Sequence, residues 1–430
     1  MSLKIAAMCF GMSLLCGAPA LAEQNGPLPH GGSYAMRPDS SVPTAAVDLW
    51  FRVPAVGFGA TPVPGVSRLA ATAIAASKPL LGDSLSSRVA QYGGRIAITI
   101  YPDAVAIGIS VPANQVRDVV RAMTTAYFSP VLTSDGLTRA LQDIARASLE
   151  KHFKPEETLH DLLFEQIFSA GPAHYATLPG NLADLQKVGM PQVQHFAQRA
   201  FRAQNAVLTV AGNIDSSFLN SVNAGIGNVP VSLRGLDAPY DSSLAGVKTQ
   251  TARPFPEDGL GLGWVGPPIS DERAATALDF IADYLFRSET GMADTAVLAG
   301  NPDVYISGQF VTLHNPGVML VSIAGKHQAA ARKIVEDFIA KMMQPLDGQV
   351  FAAAAAAFRY HILSDLETPL SQADNMGWYA VEGNAAYAPD SSTNRYFAAL
   401  DGLTPQYVAD VARKYLRDPS VVTLTATETR

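Results

Sequence analysis

The 430-residue sequence contains little cysteine and little charge. Its two cysteines, Cys9 and Cys16, lie in an N-terminal segment with the pattern of a signal peptide, so the mature chain is predicted to have no disulfide and no cysteine metal site. Charged residues make up 16% and the net charge is −7, which gives no reason to expect nucleic acid or an anionic membrane surface as a partner. Hydrophobic residues make up 48%, which excludes a disordered chain. The length predicts two or more domains.

The first 22 residues have the features of a secretory signal peptide. Lys4 is the positive end, residues 5–15 form an apolar core, and Ala20-Leu21-Ala22 matches a cleavage site. We predict cleavage after Ala22 and a periplasmic location in a Gram-negative bacterium. An uncleaved anchor is one alternative, although the apolar run is short for a span of about 20 residues. Lipidation at Cys16 is another, although a leucine precedes it where a small residue is usual.

The mature chain contains an internal repeat. Seven positions of the first half correspond to identical or similar residues in the second half at a constant offset of 215 residues. They are Leu185, Val188, Val193, Ala197, Phe201, Arg202 and Val207, matched by Leu400, Leu403, Val408, Ala412, Leu416, Arg417 and Val422. Strands and helices occur in runs rather than in strict alternation. We therefore predict an α+β fold of two homologous domains, each a β-sheet with helices packed on one face.

Composition predicts where these domains begin and end. Residues 23–44 are rich in glycine, proline and serine and lack periodicity, so we predict a flexible arm. Residues 45–235 then form the N-terminal domain. Small and polar residues gather again in 236–256, the predicted linker, and residues 257–430 form the C-terminal domain.

Residues 64–94 are the most informative about function. A Pro64-Gly65 turn follows an apolar strand and leads into a helix predicted to begin near Val66. A second amphipathic run begins at Ser84 and ends on Tyr92-Gly93-Gly94, before another strand. This order resembles the insulinase/pitrilysin (M16) family of zinc peptidases, which includes the mitochondrial processing peptidases. Weaker similarities extend the resemblance over nearly the whole mature chain, and it implies the fold of that family.

The resemblance also implies that the zinc site has been lost. Active members carry H-x-x-E-H on this helix, with two His ligands and a Glu general base. The motif falls here on Arg68, Ala71 and Thr72, which supply neither imidazole nor carboxylate. The third ligand, a Glu, is expected near Ser148. The nearby Glu150 would point away, because two residues rotate a helical side chain by about 200°. We therefore expect no catalytic residue, metal or cofactor in this chain.

The resemblance also implies a partner subunit. Many members pair an active subunit with an inactive one that lends an arginine and a tyrosine to the substrate. Tyr305 matches the tyrosine and is the predicted substrate contact, whereas Leu298 stands at or next to the arginine position. We expect a non-catalytic subunit that pairs with a homologous, zinc-containing M16 subunit in peptide degradation or processing. A stand-alone periplasmic peptide-binding or scaffold protein is the alternative, in which Tyr305 simply packs on its sheet.

A metallopeptidase with a rearranged site is a further alternative. His152, Glu156, Glu157 and His160 lie close in sequence. Glu157 and His160 have the spacing that places two ligands on one helical face. Pro155 interrupts the helix between His152 and the others, and solvated polar residues at a helix start account for the cluster equally well.

Overall fold

The computed structural model describes most of the mature chain. The described residues are 23–55, 57–58, 63–80, 82–151, 154–168, 180, 182–215, 217–227, 250–301, 303–314, 316–326, 328–383 and 392–426. The predicted signal peptide and His152 lie outside them. No helix in the described part of the chain is long and apolar enough to cross a membrane.

The first half forms a six-stranded sheet in the order β1-β2-β6-β3-β5-β4. Its strands are β1 (Gln24–Pro27), β2 (Ser33–Pro38), β3 (Thr44–Arg52), β4 (Arg95–Ile100), β5 (Ala104–Pro112) and β6 (Ala206–Gly212). β2 and β6 run parallel, and the other neighbours run antiparallel. The helices of this half are α1 (Val66–Ala76), α2 (Leu85–Gln91), α3 (Val116–Phe128), α4 (Ser134–Lys151), α5 (Pro155–Ile167), α6 (Leu182–Leu185), α7 (Met190–Ala200) and α8 (Phe218–Gly227).

The second half forms a five-stranded sheet in the order β7-β11-β8-β10-β9. Its strands are β7 (Gln250–Phe255), β8 (Gly259–Val265), β9 (Val304–Val311), β10 (Val318–Gly325) and β11 (Ser420–Ala426). β7 and β11 run parallel, and the other neighbours run antiparallel. The helices are α9 (Glu272–Phe286), α10 (Met292–Gly300), α11 (Gln328–Met342), α12 (Gly348–Asp365), α13 (Pro369–Glu382), α14 (Ser392–Asp401) and α15 (Pro405–Tyr415).

The two halves repeat one arrangement, which confirms the predicted α+β class and duplication. The order β2-β6-β3-β5-β4 of the first sheet has the same connectivity as β7-β11-β8-β10-β9 of the second. The offset of 215 residues carries both ends of α7 onto both ends of α15. The helix predicted to begin near Val66 does so, and Ser84 caps α2 by accepting a hydrogen bond from the Ser87 N–H.

Two segments predicted to be irregular contain strands. β1 and β2 lie inside the predicted flexible arm, residues 23–44, and β2 pairs in parallel with β6, so that prediction was wrong for this part of the chain. β7 lies inside the predicted linker, residues 236–256, and pairs in parallel with β11. The physical reason is the same in both. Main-chain hydrogen bonds to a distant strand order these segments, and a strand at a sheet edge tolerates glycine and proline that weaken the local pattern.

Each sheet is covered on its second face by a helix from the other half. α5 packs on β8, β10 and β11, whereas α13 packs on β3, β5 and β6. The two helices are equivalent in the repeat, and each has proline in its first turn, Pro155 and Pro369. Each sheet therefore has the predicted helices of its own half on one face and a single helix from the other half on the opposite face.

Glycines permit both crossings. On β8, a Cβ atom at Gly259, Gly261 or Gly263 would lie 3.1, 2.9 or 2.8 Å from a side-chain carbon of α5. In the second crossing the glycine lies on the helix and the large side chain on the strand. Gly377 of α13 lies so close to the Trp50 indole of β3 that a Cβ atom would overlap it. The large side chain therefore comes from the helix in one crossing and from the strand in the other.

Candidate functional site

The helix with the three motif positions begins on a glycine turn. Gly65 has a φ of 77°, a left-handed conformation that glycine adopts without strain, and it immediately precedes α1. Val66, Leu69 and Ala73 then pack into the core of the first half. This packing fixes the orientation of α1 about its axis. The helix also contacts β4 and α4.

Two of the three motif positions line a cavity of about 240 Å³. Arg68 and Thr72 come from α1, one helical turn apart. Ala71 has a different environment, because it is fully buried in the core and its carbonyl oxygen accepts a hydrogen bond of 3.0 Å from the Tyr127 hydroxyl. The remaining lining residues are Ala75, Ser86, Ile96, Ile98, Asp143 and Ile144.

On α4, the residues that line this cavity are Asp143 and Ile144. Ser148, the expected position of the third ligand, lies one turn further on and donates its hydroxyl to the Ile144 carbonyl oxygen at 2.8 Å. Glu150 is exposed. The sequence did not single out Asp143, and only the alternation of Ile96 and Ile98 along β4 could have indicated that they share a face.

Arg68 places a half-buried guanidinium in the wall of this cavity, which residues of the first half line. Burial lowers its pKa, and the charges of Asp161 and Glu157 on or beside α5 act in the opposite direction. Both acids have other partners, since Asp161 forms an ion pair with Lys151 and Glu157 forms one of 2.6 Å with Lys154. Within the described part of the chain, the Arg68 side chain forms no hydrogen bond or ion pair.

A second cavity, of about 290 Å³, lies where the two halves meet. The first half contributes Lys151, Glu156, Glu157, His160 and Asp161, and the second half contributes Ser307, Gln309, Leu320 and Ser322. Three members of the predicted metal cluster are therefore close together. However, no group of three or more His, Cys, Asp or Glu side chains that could hold a metal occurs among the residues that the structure describes.

His160 has an environment unlike that of an exposed ligand. Its ring lies 4.8 Å from that of Phe164, and burial lowers its pKa, so the neutral imidazole is favoured. The two rings are tilted by 33° to each other. His160 thus belongs to the part of the cavity wall that α5 forms.

Tyr305 lies on β9, the edge strand of the second sheet, and 54% of its surface is exposed. Ser307 and Gln309, two and four residues further on, line the second cavity. Alternate residues of a strand share a face, so Tyr305 belongs to the same face as these two. Its role as a substrate contact stays a prediction. Leu298, at the expected arginine position, lies on α10 and is 40% exposed.

No protein-family model and no curated protein matches the sequence. Solved structures do match it. A protease from Helicobacter pylori has a TM-score of 0.79 and 16% identity, covering 94% of this chain and 98% of that one. An M16-like peptidase from Alicyclobacillus acidocaldarius has a TM-score of 0.78 and 16% identity, covering 94% and 97%. The chain has the M16 peptidase fold.

A third matching structure is described as an inactive domain. The crystal structure of a peptidase M16 inactive domain from Pseudomonas fluorescens matches with a TM-score of 0.74 and 15% identity, covering 94% of this chain and 97% of that one. The TM-scores of these structures establish the M16 fold, and at such low identities they show the fold alone.

Proposed function

We propose that this chain is a non-catalytic M16-like subunit that holds an extended peptide beside a homologous subunit containing zinc. The observation that carries this proposal is the cavity next to α1. At the two positions where the resemblance expects zinc-binding imidazoles, the cavity has Arg68 and Thr72. A guanidinium has no lone pair for a metal, and a threonine hydroxyl is a poor ligand.

The edge strand β4 gives the cavity a means of holding a peptide. β4 is the last strand of its sheet and pairs there with β5, so its other side can accept a further strand. Extended peptides bind to such edges through main-chain hydrogen bonds. Because Ile96 and Ile98 line the cavity, alternate side chains of a peptide on this edge would meet it.

The proposal also includes a zinc-containing partner subunit. We place the two subunits in the periplasm, with the zinc in the partner, and assign Tyr305 a contact with the shared peptide. The exposure of Tyr305 on an edge strand supports this assignment. The similarity to an inactive M16 domain supports the non-catalytic role.

Co-expression with each H-x-x-E-H homologue from the source organism tests the pairing. The isolated mature chain should contain no stoichiometric zinc and cleave no peptide. A complex with one homologue should contain zinc and cleave peptides. In that complex, Tyr305→Phe should lower turnover several-fold, since a buried hydroxyl bond contributes about 1 kcal/mol. Tyr360→Phe, at an exposed tyrosine of α12, is the matched control.

The outcomes separate the alternatives. About one tightly bound zinc per isolated chain, with chelator-sensitive cleavage, would favour a rearranged metallopeptidase. If no homologue co-purifies but the chain binds peptides, the stand-alone binding protein replaces the paired subunit. If a complex forms and Tyr305→Phe cleaves as fast as the parent, the tyrosine is only a strand residue.

A further inference from the structure

We propose that Arg68 receives the C-terminal α-carboxylate of the bound peptide, and that the chain therefore selects peptides with a free C-terminus and an apolar last residue. The inference rests on the proposed peptide-binding function and adds a substrate class to it. It follows from the charge, the lining and the position of the cavity beside β4.

The charge argument concerns which group in the cavity is left without a partner. Among the acids around Arg68, Asp143 pairs with Arg146, Asp161 with Lys151 and Glu157 with Lys154. Each of these acids thus has a cationic partner, whereas the Arg68 side chain forms no ion pair with any described residue. Asp161 and Glu157 act on Arg68 only from a distance, so its half-buried guanidinium can still bind an incoming carboxylate through two parallel hydrogen bonds.

The lining argument concerns which carboxylate fits. Four side chains of the cavity are apolar: Ala75, Ile96, Ile98 and Ile144. An apolar C-terminal residue presents a carboxylate and an apolar side chain from the same carbon atom, so both parts of such a cavity are occupied together. An aspartate or glutamate side chain would bring its carboxylate to Arg68 but leave the apolar lining without a contact.

The position argument concerns how the peptide arrives. A strand added to β4 places its side chains alternately on the two faces of the sheet. The face with Ile96 and Ile98 is the one that meets Arg68 and Thr72 across the cavity. Thr72 lies one turn from Arg68 on the same side of α1, so its hydroxyl is placed to donate to a carboxylate held there.

Fluorescence anisotropy with defined peptides tests the inference. The probe is a fluorescein-labelled eight-residue peptide of alternating threonine and valine that ends in leucine with a free carboxylate. The same peptide with an amidated C-terminus should bind the mature chain at least about tenfold more weakly, the usual consequence of losing a hydrogen bond to a charged group. An amidated peptide that ends in aspartate should bind as weakly as the amidated leucine peptide.

Variants then assign the effect to Arg68. Arg68→Gln should remove the preference for the free acid, and Arg68→Lys should keep part of it. Thr72→Glu should also remove it, because a glutamate four residues from Arg68 provides the guanidinium with a partner. Arg332→Gln, on exposed α11 of the other half, is the matched loss of an arginine and should change nothing.

Comparing the free-acid and amidated peptides on the parent chain tests carboxylate recognition even if a variant fails to fold. Equal binding of acid and amide overturns the carboxylate inference and leaves peptide binding intact. Tight binding of the amidated aspartate peptide overturns the choice of the α-carboxylate. If no peptide binds, the proposed peptide-holding function is rejected, and this inference is rejected with it.

Discussion

At the residue scale, Glu382 connects the end of α13 to the first half of the chain. Its side chain is fully buried, and its Oε2 atom accepts the His314 main-chain N–H at 2.8 Å. The Asp103 carboxyl lies next to it. Burial raises the pKa of Glu382 well above its usual value, and the neighbouring Asp103 charge raises it further. Burial also raises the pKa of Asp103, although Arg52 and His314 oppose the shift. These directions favour a proton shared by the two carboxyls.

This shared proton makes stability depend on pH. A carboxyl with a raised pKa in the folded state keeps a proton that the unfolded chain loses, so its stabilisation is full below the unfolded pKa of about 4 and declines as pH rises through the folded value. Glu382→Gln should therefore stabilise the chain at pH 7 to 8 and flatten this decline. The amide can still accept from His314 and can donate to the Asp103 carboxylate.

Thermal unfolding of the parent and Glu382→Gln across pH 4 to 8 measures this effect. The exposed Glu336→Gln on α11 is the matched control, and its pH profile should follow that of the parent. A Glu382→Gln profile as steep as the parent's would show that the carboxyl pair does not store a proton.

At the element scale, close contact between a glycine and a large side chain determines how α13 packs on the first sheet. Gly377→Ala would place a methyl group in the space of the Trp50 indole. Overpacking of this kind usually costs about 1–3 kcal/mol, so we expect a clear fall in the free energy of unfolding. Gly225→Ala on α8 is the control, because no described atom lies within 4 Å of a Cβ atom there. It should stabilise its helix by up to about 1 kcal/mol.

Chemical denaturation of both variants gives the comparison. If the free energy of unfolding falls for Gly377→Ala and rises for Gly225→Ala, the loss of stability at Gly377 comes from contact with the indole rather than from replacing a glycine. A Gly377→Ala chain as stable as the parent would mean that α13 can move away from Trp50 at little cost.

The elements also show how far the sequence could predict the fold and the site. The Pro64-Gly65 turn predicted the start of α1, the amphipathic run from Ser84 predicted α2, and the repeat at a fixed offset predicted the duplicated topology. Periodicity could not show that α5 and α13 cross to the opposite sheet, because an amphipathic helix has the same pattern whichever sheet it covers. The strands in residues 23–44 were missed because their order comes from pairing with β6. Arg68 and Thr72 were located by motif position, but Asp143 reaches the cavity only through tertiary packing.

At the scale of the whole molecule, the exchange of α5 and α13 makes each half depend on the other. Without the second sheet, Leu159, Leu163 and Ile167 of α5 would lose the strand surface that buries them. Without α13, the Trp50 face of the first sheet would be exposed to water. Burying such side chains contributes about 1.5–3 kcal/mol each, comparable in sum with the whole stability of a domain.

We therefore predict that residues 23–235 and 236–430, expressed separately, do not fold cooperatively, whereas the two fragments expressed together form a soluble complex. Circular dichroism and denaturant unfolding of each fragment alone, and of the co-purified pair, measure this. The matched control is the intact chain with a protease site inserted after residue 235 and cut once folded, which should stay associated and unfold in one transition. If either fragment alone unfolds with the cooperativity of the intact chain, its own core is sufficient and the crossing helix is an accessory. If both fragments fail alone and recover together, the crossing helices hold the halves as one folding unit, and the cavity between α5 and β9 keeps its shape for the same reason.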